Sequence, residues 1–345
     1  MRKFNVAVVG ATGAVGEEFY ELFKEHNFPI NKLVPLASAR SVGKTIEYRN
    51  REIAVQELTK EIFEKEEIDI AFFSAGGSIS AEFAESAVEA GALVIDNTSH
   101  FRMDGDIPLV VPEVNPEDIK QWRNRGIIAN PNCSTIQMVQ SLKALDELYE
   151  IKRVDVSTYQ ATSGAGKAGM EELVKQMQDF FAFKLSESEC SAFAHQIALN
   201  VIPQVDVPME NGFTKEEMKM VNETRKILHK DIEVAATCVR VPVLRSHSES
   251  ITVTFDENVV VDVDKVREAF ENFENLVVKD DIKNSIYPMP KDATDTDLTY
   301  VGRIRKDIFR DNILHFWNVA DQVRVGAATN SLRIAQKWID MEEYE

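Results

Sequence analysis

A chain of 345 residues, 44% hydrophobic and 28% charged, carries enough apolar content for two ordinary domain cores, which excludes a disordered or fibrous polymer. Its 57 acidic against 39 basic residues leave a net charge of −18, which argues against nucleic acid and anionic membrane as partners. Any phosphorylated ligand therefore needs a local cluster of cations and backbone amides.

No window approaches the roughly 20 apolar residues of a membrane span. The opening Met-Arg-Lys-Phe-Asn leads straight into strand-like sequence rather than a secretory leader. Three widely spaced cysteines offer neither a disulfide framework nor a metal-ligand spacing, so a cytoplasmic protein with no metal is expected.

In chain order, apolar runs over 5–9, 33–37, 68–73, 93–95 and 126–129 alternate with amphipathic segments over 13–26 and 81–90. Runs that are apolar throughout suit parallel strands buried on both faces. The first strand enters Gly10-Ala-Thr-Gly13-Ala-Val-Gly16, a strand-to-helix turn whose glycines and helix N-terminus suit a pyrophosphate. The spacing is GxxGxxG, and a glycine triplet also fits an ordinary βα turn. The strand-turn-helix context carries the reading of Gly10, Thr12, Gly13, Ala14 and Val15 as cofactor contacts. After the second strand, Ser38, Arg40 and Ser41 place two hydroxyls around a guanidinium where an NAD enzyme carries an acid. That pattern suits a ribose 2′-phosphate, hence NADP, against the plainer reading of a solvated loop arginine. Ser74, Ala75 and Gly76 form a second glycine-rich turn, able to flank the cofactor or to serve as a simple loop.

Asn130-Pro-Asn132-Cys133-Ser-Thr135 follows the last of these strands and opens a helix over 135–149. A helix N-terminus favours a thiolate and offers amides to an oxyanion, whereas a free cysteine is usually a small buried hydrophobe. Neither Cys190, in a polar segment, nor Cys238, in an alternating strand, has a comparable setting. Beyond this point period-2 alternation appears over 154–159, 234–243, 250–255, 298–304 and 313–319, with helices over 168–181, 215–228 and 263–273. A final amphipathic helix over 327–341 returns to the first domain. The expected fold is α/β. A Rossmann-like doubly wound parallel sheet spans 1–132 plus 323–345, and an α+β catalytic and dimerisation domain with a mixed, largely antiparallel sheet spans 133–322. Residues 184–210 have no clear period and read as a lid or an oligomer arm.

Taken together, Asn130 to Thr135, Tyr159-Gln160-Ala-Thr-Ser163-Gly-Ala-Gly166, Glu216-Glu217-Met-Lys219 and Cys238-Val-Arg240-Val-Pro-Val-Leu-Arg-Ser-His247 resemble the aspartate-semialdehyde dehydrogenase family, in the family's order. The glycine-rich start, Ser99-His-Phe-Arg102 and Gly326-Ala-Ala-Thr-Asn330 extend the resemblance over essentially the whole chain. It implies Cys133 as nucleophile, His247 as general acid/base and Gln160 as the residue that positions the acyl group. It further implies Arg240 on the substrate α-carboxylate, Glu216 on its amino group, Arg102 and Lys219 on phosphate, and Asn132 as another substrate contact. Asn97, Ser163, Gly164 and Gln322 resemble cofactor-contacting positions. The implied reaction is the reversible, NADP-dependent reductive dephosphorylation of L-aspartyl-4-phosphate to L-aspartate 4-semialdehyde through a cysteine thioester. Its place is the biosynthesis of lysine (through diaminopimelate), threonine, methionine and isoleucine, on a homodimer, with a tetramer left open.

The chemistry independently asks for a polarisable thiolate, an imidazole with pKa near neutrality and separate cations for two anions. Each residue has a plainer reading: His247 at a strand edge, Glu216 and Lys219 as an i,i+3 surface pair, Arg240 in a structural ion pair. The set favours catalysis. The nearest alternative, N-acetylglutamyl-phosphate reductase, acts on a longer acyl phosphate with a blocked amine, for which Glu216 is not needed. Glyceraldehyde-phosphate dehydrogenase is disfavoured by the missing NAD-type acid. A non-catalytic NADP-sensing Rossmann protein would need the glycine turn, but not Cys133, Gln160, Arg240 and His247 together.

Overall fold

The computed structural model describes residues 2–344. The chain divides into two compact units, Met1–Asn132 with Ala327–Glu345, and Cys133–Gly326.

The first unit opens with β1 (Phe4–Val9), α1 (Ala14–Glu25) and β2 (Ile30–Ala37). There follow the hairpin β3 (Thr45–Tyr48) and β4 (Arg51–Ala54), then β5 (Gln56–Glu57), α2 (Ile62–Lys65), β6 (Ile70–Phe73), α3 (Gly77–Glu89), β7 (Leu93–Asp96) and β8 (Ile127–Ala129). Six strands form one parallel sheet in the order β5-β2-β1-β6-β7-β8. Every residue of β6 and β7 is buried, as their unbroken apolar runs require. Helix α1 turns Phe19, Leu22 and Phe23 inward, and the Phe19 ring meets Phe72 of β6 at 4.7 Å between centroids. Each such side chain contributes about 1.5–3 kcal/mol by leaving water. The chain winds outward in both directions from the neighbours β1 and β6, so the turns after these two strands flank the topological switch point, where ligands bind in open α/β sheets.

The second unit contains α4 (Cys133–Asp146), β9 (Ile151–Gln160), α5 (Gly166–Phe181), α6 (Lys215–Leu228), β10 (Glu233–Arg240) and β11 (His247–Phe255). It continues through α7 (Val263–Asn272), β12 (Leu276–Val278), α8 (Pro290–Ala293), β13 (Thr299–Lys306) and β14 (Ile313–Ala320). The sheet order is β10-β9-β11-β14-β13-β12, antiparallel through its centre and parallel in the outer pairs β10/β9 and β12/β13. Helix α4 covers one face and buries 11 of its 14 residues. Polar groups match across that contact: the Thr299 hydroxyl lies 2.7 Å from Gln140 Oε1, and Asn318 Nδ2 donates to the Gln137 carbonyl at 2.8 Å. The opposite face is open, with Tyr159 39% exposed and its ring 5.3 Å from Trp317.

A π-helical turn, Arg324–Ala328, leads into α9 (Thr329–Tyr344). Leu332, Ile334, Ala335 and Ile339 of α9 join Phe4, Ile95 and Ile119 in the core of the first unit. Among the described residues, no helix is long and apolar enough to cross a membrane.

Candidate active site

The residues singled out as cofactor contacts in the first unit gather at the β1/β6 switch. Gly10 has φ +92°, and a Cβ there would lie 3.0 Å from the Ser74 carbonyl carbon, so the two turns touch only because glycine stands at 10. A Cβ at Gly16 would come 2.2 Å from the Gly10 oxygen, which closes helix onto turn. Gly13 caps α1 and Gly76 caps α3 without any side-chain hydrogen bond to the first-turn amides. This cradle fits a pyrophosphate. Gly10, Thr12, Gly13, Ala14 and Val15 are partly exposed, and Ala75 and Gly76 are exposed. The Ser74 hydroxyl donates to the Val9 carbonyl at 3.1 Å. Ser38 and Arg40 are exposed beside the half-buried Ser41, and no carboxylate among the described residues pairs with Arg40.

Arg102 is buried and donates from Nε to the Asn130 carbonyl at 2.9 Å and from Nη2 to the Asn97 carbonyl at 2.8 Å. It thereby ties together the chain after β7 and after β8. The Asn97 side chain donates to the Phe73 carbonyl at 3.1 Å and accepts from Ser331 at 2.9 Å. Asn132 is buried as the last residue of this unit's first segment.

In the second unit, topology assembles the remaining candidates at one end of the sheet. Parallel pairing aligns Arg240, the last residue of β10, with Gln160, the last residue of β9. Antiparallel pairing places Ser248 opposite Tyr159 and His247 opposite Ala320, so β11 begins, and β14 ends toward Gln322, at that same end. Helix α4 starts with Cys133, partly exposed in its first turn. Cys190 is exposed in an irregular segment, and Cys238 is buried with its thiol pushed up by burial. Only Cys133 combines access with a helix start.

Hydrogen bonds lock this end together. Gln160 Nε2 donates to Ser134 Oγ at 3.1 Å and to Glu216 Oε1 at 3.2 Å. The other Glu216 oxygen holds Lys219 Nζ at 3.0 Å, while Asp206 holds it from the far side at 2.8 Å. Burial opposes the Lys219 charge, but the Glu216 and Asp206 carboxylates carry its pKa above the ordinary value. The i,i+3 pair therefore exists, yet inside the site rather than on an open surface. Helix α6 presents it through a capping box, in which Thr214 and Glu217 satisfy each other's backbone N–H at 3.3 and 2.7 Å.

Ala161 serves two neighbours at once. Its N–H donates to His247 Nδ1 at 3.0 Å, and its carbonyl accepts from Arg240 Nη1 at 2.6 Å. The proton of the neutral imidazole therefore sits on Nε2, which no partner meets among the described residues. Burial and the Arg240 charge push the His247 pKa down to about 3. The near-neutral imidazole expected from residue type is thus corrected: this ring is neutral in the resting site. Burial also lowers the Arg240 pKa, with Glu216 and Cys133 opposing that shift through their charges.

Gly164 lies against this pair: a Cβ there would meet Arg240 Nη1 at 2.6 Å and the His247 ring at 3.3 Å. Ser163 and Gln322 are bonded to each other, and Gln322 Oε1 accepts from the N–H of Ser246, the residue before His247, at 2.7 Å. Gly326 touches the nucleophile candidate, since a Cβ there would lie 2.6 Å from Cys133 Cβ. Sequence reasoning missed Ala161, Ser134, Asp206 and Phe193, whose ring lies 5.7 Å from the Arg240 guanidinium carbon. Ala161 acts through its backbone, and Asp206 and Phe193 fall in chain without a period.

Two family models match, described as "Semialdehyde dehydrogenase, NAD binding domain" over residues 5–122 and "Semialdehyde dehydrogenase, dimerisation domain" over 142–325. The chain is 61% identical to an aspartate-semialdehyde dehydrogenase of Campylobacter jejuni, covering 99% of each. It is 52% identical to one of Helicobacter pylori, covering 98% of this chain and 99% of the relative. Its structure matches Vibrio cholerae aspartate semialdehyde dehydrogenase II, complexed with ASA, with TM-score 0.94 and 46% identity over 99% of each chain. A Candida albicans aspartate semialdehyde dehydrogenase with NADP matches with TM-score 0.74 and 26% identity, covering 97% of this chain and 98% of that one.

Proposed function

The chain belongs to the aspartate-semialdehyde dehydrogenase family, and from that premise we propose that it makes L-aspartate 4-semialdehyde from L-aspartyl-4-phosphate, using NADPH and a thioester on Cys133. The observation that carries this reading is the convergence of a partly exposed helix-start sulfur with Gln160, Arg240 and His247 at one end of a sheet.

In the biosynthetic direction the Cys133 thiolate attacks the acyl carbon, forming a C–S bond as the C–O bond to phosphate breaks. Arg102 and Lys219 receive the departing phosphate. Arg240 binds the substrate α-carboxylate, and Glu216, which already holds an ammonium at Lys219, takes the α-amino group. Gln160, fixed by Ser134 and Glu216, orients the acyl group beside the sulfur. NADPH, when bound, supplies the hydride that carries the thioester to the aldehyde level. His247 presents Nε2–H to the oxyanion, and collapse of the hemithioacetal breaks the C–S bond and returns the thiolate.

Gly10, Thr12, Gly13, Ala14, Val15 and the Ser74–Gly76 turn would hold the dinucleotide, with Ser38, Arg40 and Ser41 on the 2′-phosphate. Choice of NADP over NAD rests on the exposed, carboxylate-free Arg40. The open face of the second unit's sheet supports a homodimer. Beside Trp317 it carries a pocket of about 360 Å³, lined by Tyr287, Pro288, Met289 and Arg303.

The decisive assay is phosphate-dependent reduction of NADP with L-aspartate 4-semialdehyde, run beside NAD and beside the N-acetylglutamyl analogue. NADP with the aspartyl substrate is expected to dominate, and Cys133→Ala to lose on the order of 10⁴-fold or more in kcat. Near-normal turnover by that variant would remove the thioester from the reaction.

A further inference from the structure

Residues 184–210 have no sequence period, and their regular structure is limited to one short turn, Leu185–Glu187. They are nevertheless held at several places, three of which flank Phe193. Buried Glu172 of α5 accepts from the Ser191 N–H at 2.7 Å, the Ser191 hydroxyl at 3.1 Å and the Ala192 N–H. One turn along, Gln176 Oε1 accepts from the N–H groups of Ile197 and Ala198 at 2.9 and 3.0 Å. Ile202 and Arg240 then exchange both backbone hydrogen bonds, at 2.9 and 2.8 Å, which adds a single-residue edge to β10.

Between these anchors Phe193 packs against a small core of Leu173, Ile197, Ala198 and Ile202. Its ring lies 5.7 Å from the Arg240 guanidinium carbon. Gly169 leaves the room this requires, because a Cβ there would approach the ring to 3.0 Å. Arg240 Nη1 is committed to the Ala161 carbonyl, and the Phe193 ring lies beside the guanidinium. The Nη2 and Nε edge remains, and a guanidinium with a fixed plane pairs with a carboxylate through two parallel bonds.

We propose that Phe193, held by Glu172 through the Ser191–Ala192 loop, is a positioning residue that fixes the Arg240 plane for the substrate α-carboxylate. The aperiodic segment is then part of substrate recognition. This inference rests on the reading of Arg240 as the carboxylate site.

The test uses the full-length enzyme. Phe193→Leu keeps apolar bulk and loses the aromatic face. The KM for L-aspartate 4-semialdehyde is expected to rise about 3- to 30-fold, the range of a cation–π contact. Expected to stay within about twofold are kcat and the KM values for NADP and phosphate, with Tm unchanged within a few degrees. Phe193→Tyr should restore most of the affinity, and Glu172→Gln, which does not touch Arg240, should raise the same KM by less. An unchanged semialdehyde KM in Phe193→Leu, with an active wild type, overturns this inference alone. So does a uniform loss in every constant with a lowered Tm, which marks a purely structural residue. A wild type inactive on the semialdehyde overturns the functional reading and this inference together.

Discussion

His247 enters β11 with Nδ1 already accepting the Ala161 N–H, and burial beside Arg240 holds its pKa at about 3. In an unfolded chain the same imidazole titrates near its ordinary value of about 6.5. Since the folded value is depressed, the unfolded state takes up a proton first, and His247 withdraws stability as pH falls from about 6.5 toward 3. For catalysis, kcat/KM reports groups of the free enzyme, so His247 is expected to contribute no inflection between pH 5 and 7.5. A pH profile with an inflection near 6.5 that His247→Asn abolishes would contradict the buried, neutral ring. The resemblance offered His247 as a candidate for the site, because motif order survives without coordinates. It did not show the histidine's protonation state, which depends on burial and on a backbone N–H from another strand. Asp206 was equally hidden, since an acid in aperiodic chain looks like any solvated carboxylate until Lys219 is seen 2.8 Å away.

At the scale of elements, the strands and long helices followed from apolar period, and their ends did not. Helix α4 begins at Cys133, two residues before its apolar pattern, because Ser134 and Thr135 are polar yet fully buried. The β3/β4 hairpin escaped notice because Arg49 and Asn50 supply its two left-handed turn positions, at φ 50° and 60°, without the glycine that usually signals such a turn. Strand β11 starts at His247, three residues ahead of its visible alternation, since Ser248 and Glu249 are also buried. Burial pushes the Glu249 carboxyl well above the usual range, partly offset by Gln137 of α4. The first turn of α4 also depends on Gly326, whose added Cβ would fall 3.0 Å from Cys133 Cα. Gly326→Ala should therefore shift the sulfur and lower kcat by about 10- to 100-fold, the scale of a small misplacement at a reacting centre. Wild-type kcat in this variant would show that α4 absorbs the methyl group without moving its first residue.

For the molecule as a whole, both sheet types were legible, because continuous apolar runs and alternating runs have different causes. The proposed contact surface reads in the sequence as an open sheet face and nothing finer, since the tilted Tyr159–Trp317 pair across β9 and β14 leaves no linear signature. Tyr159, its ring tilted 47° against Trp317 and 39% exposed, lies on that face near the end of β9. Tyr159→Asp would bury a charge in a homodimer there, and sedimentation at micromolar concentration should show a shift toward monomer. A wild type that sediments as a monomer, or a variant that stays dimeric, would move the contact elsewhere.

Ala161 links the imidazole and the guanidinium through the two ends of one residue's backbone, and its own side chain takes no part in either bond. The N–H and the carbonyl belong to adjacent peptide planes that meet at the Ala161 Cα, so a change of φ or ψ there moves one bond relative to the other. On the roles proposed for Arg240 and His247, reshaping this loop to admit other acids would also disturb the imidazole that faces the oxyanion. Substitution at Phe193, which lies beside the guanidinium and makes neither bond, leaves that linkage in place.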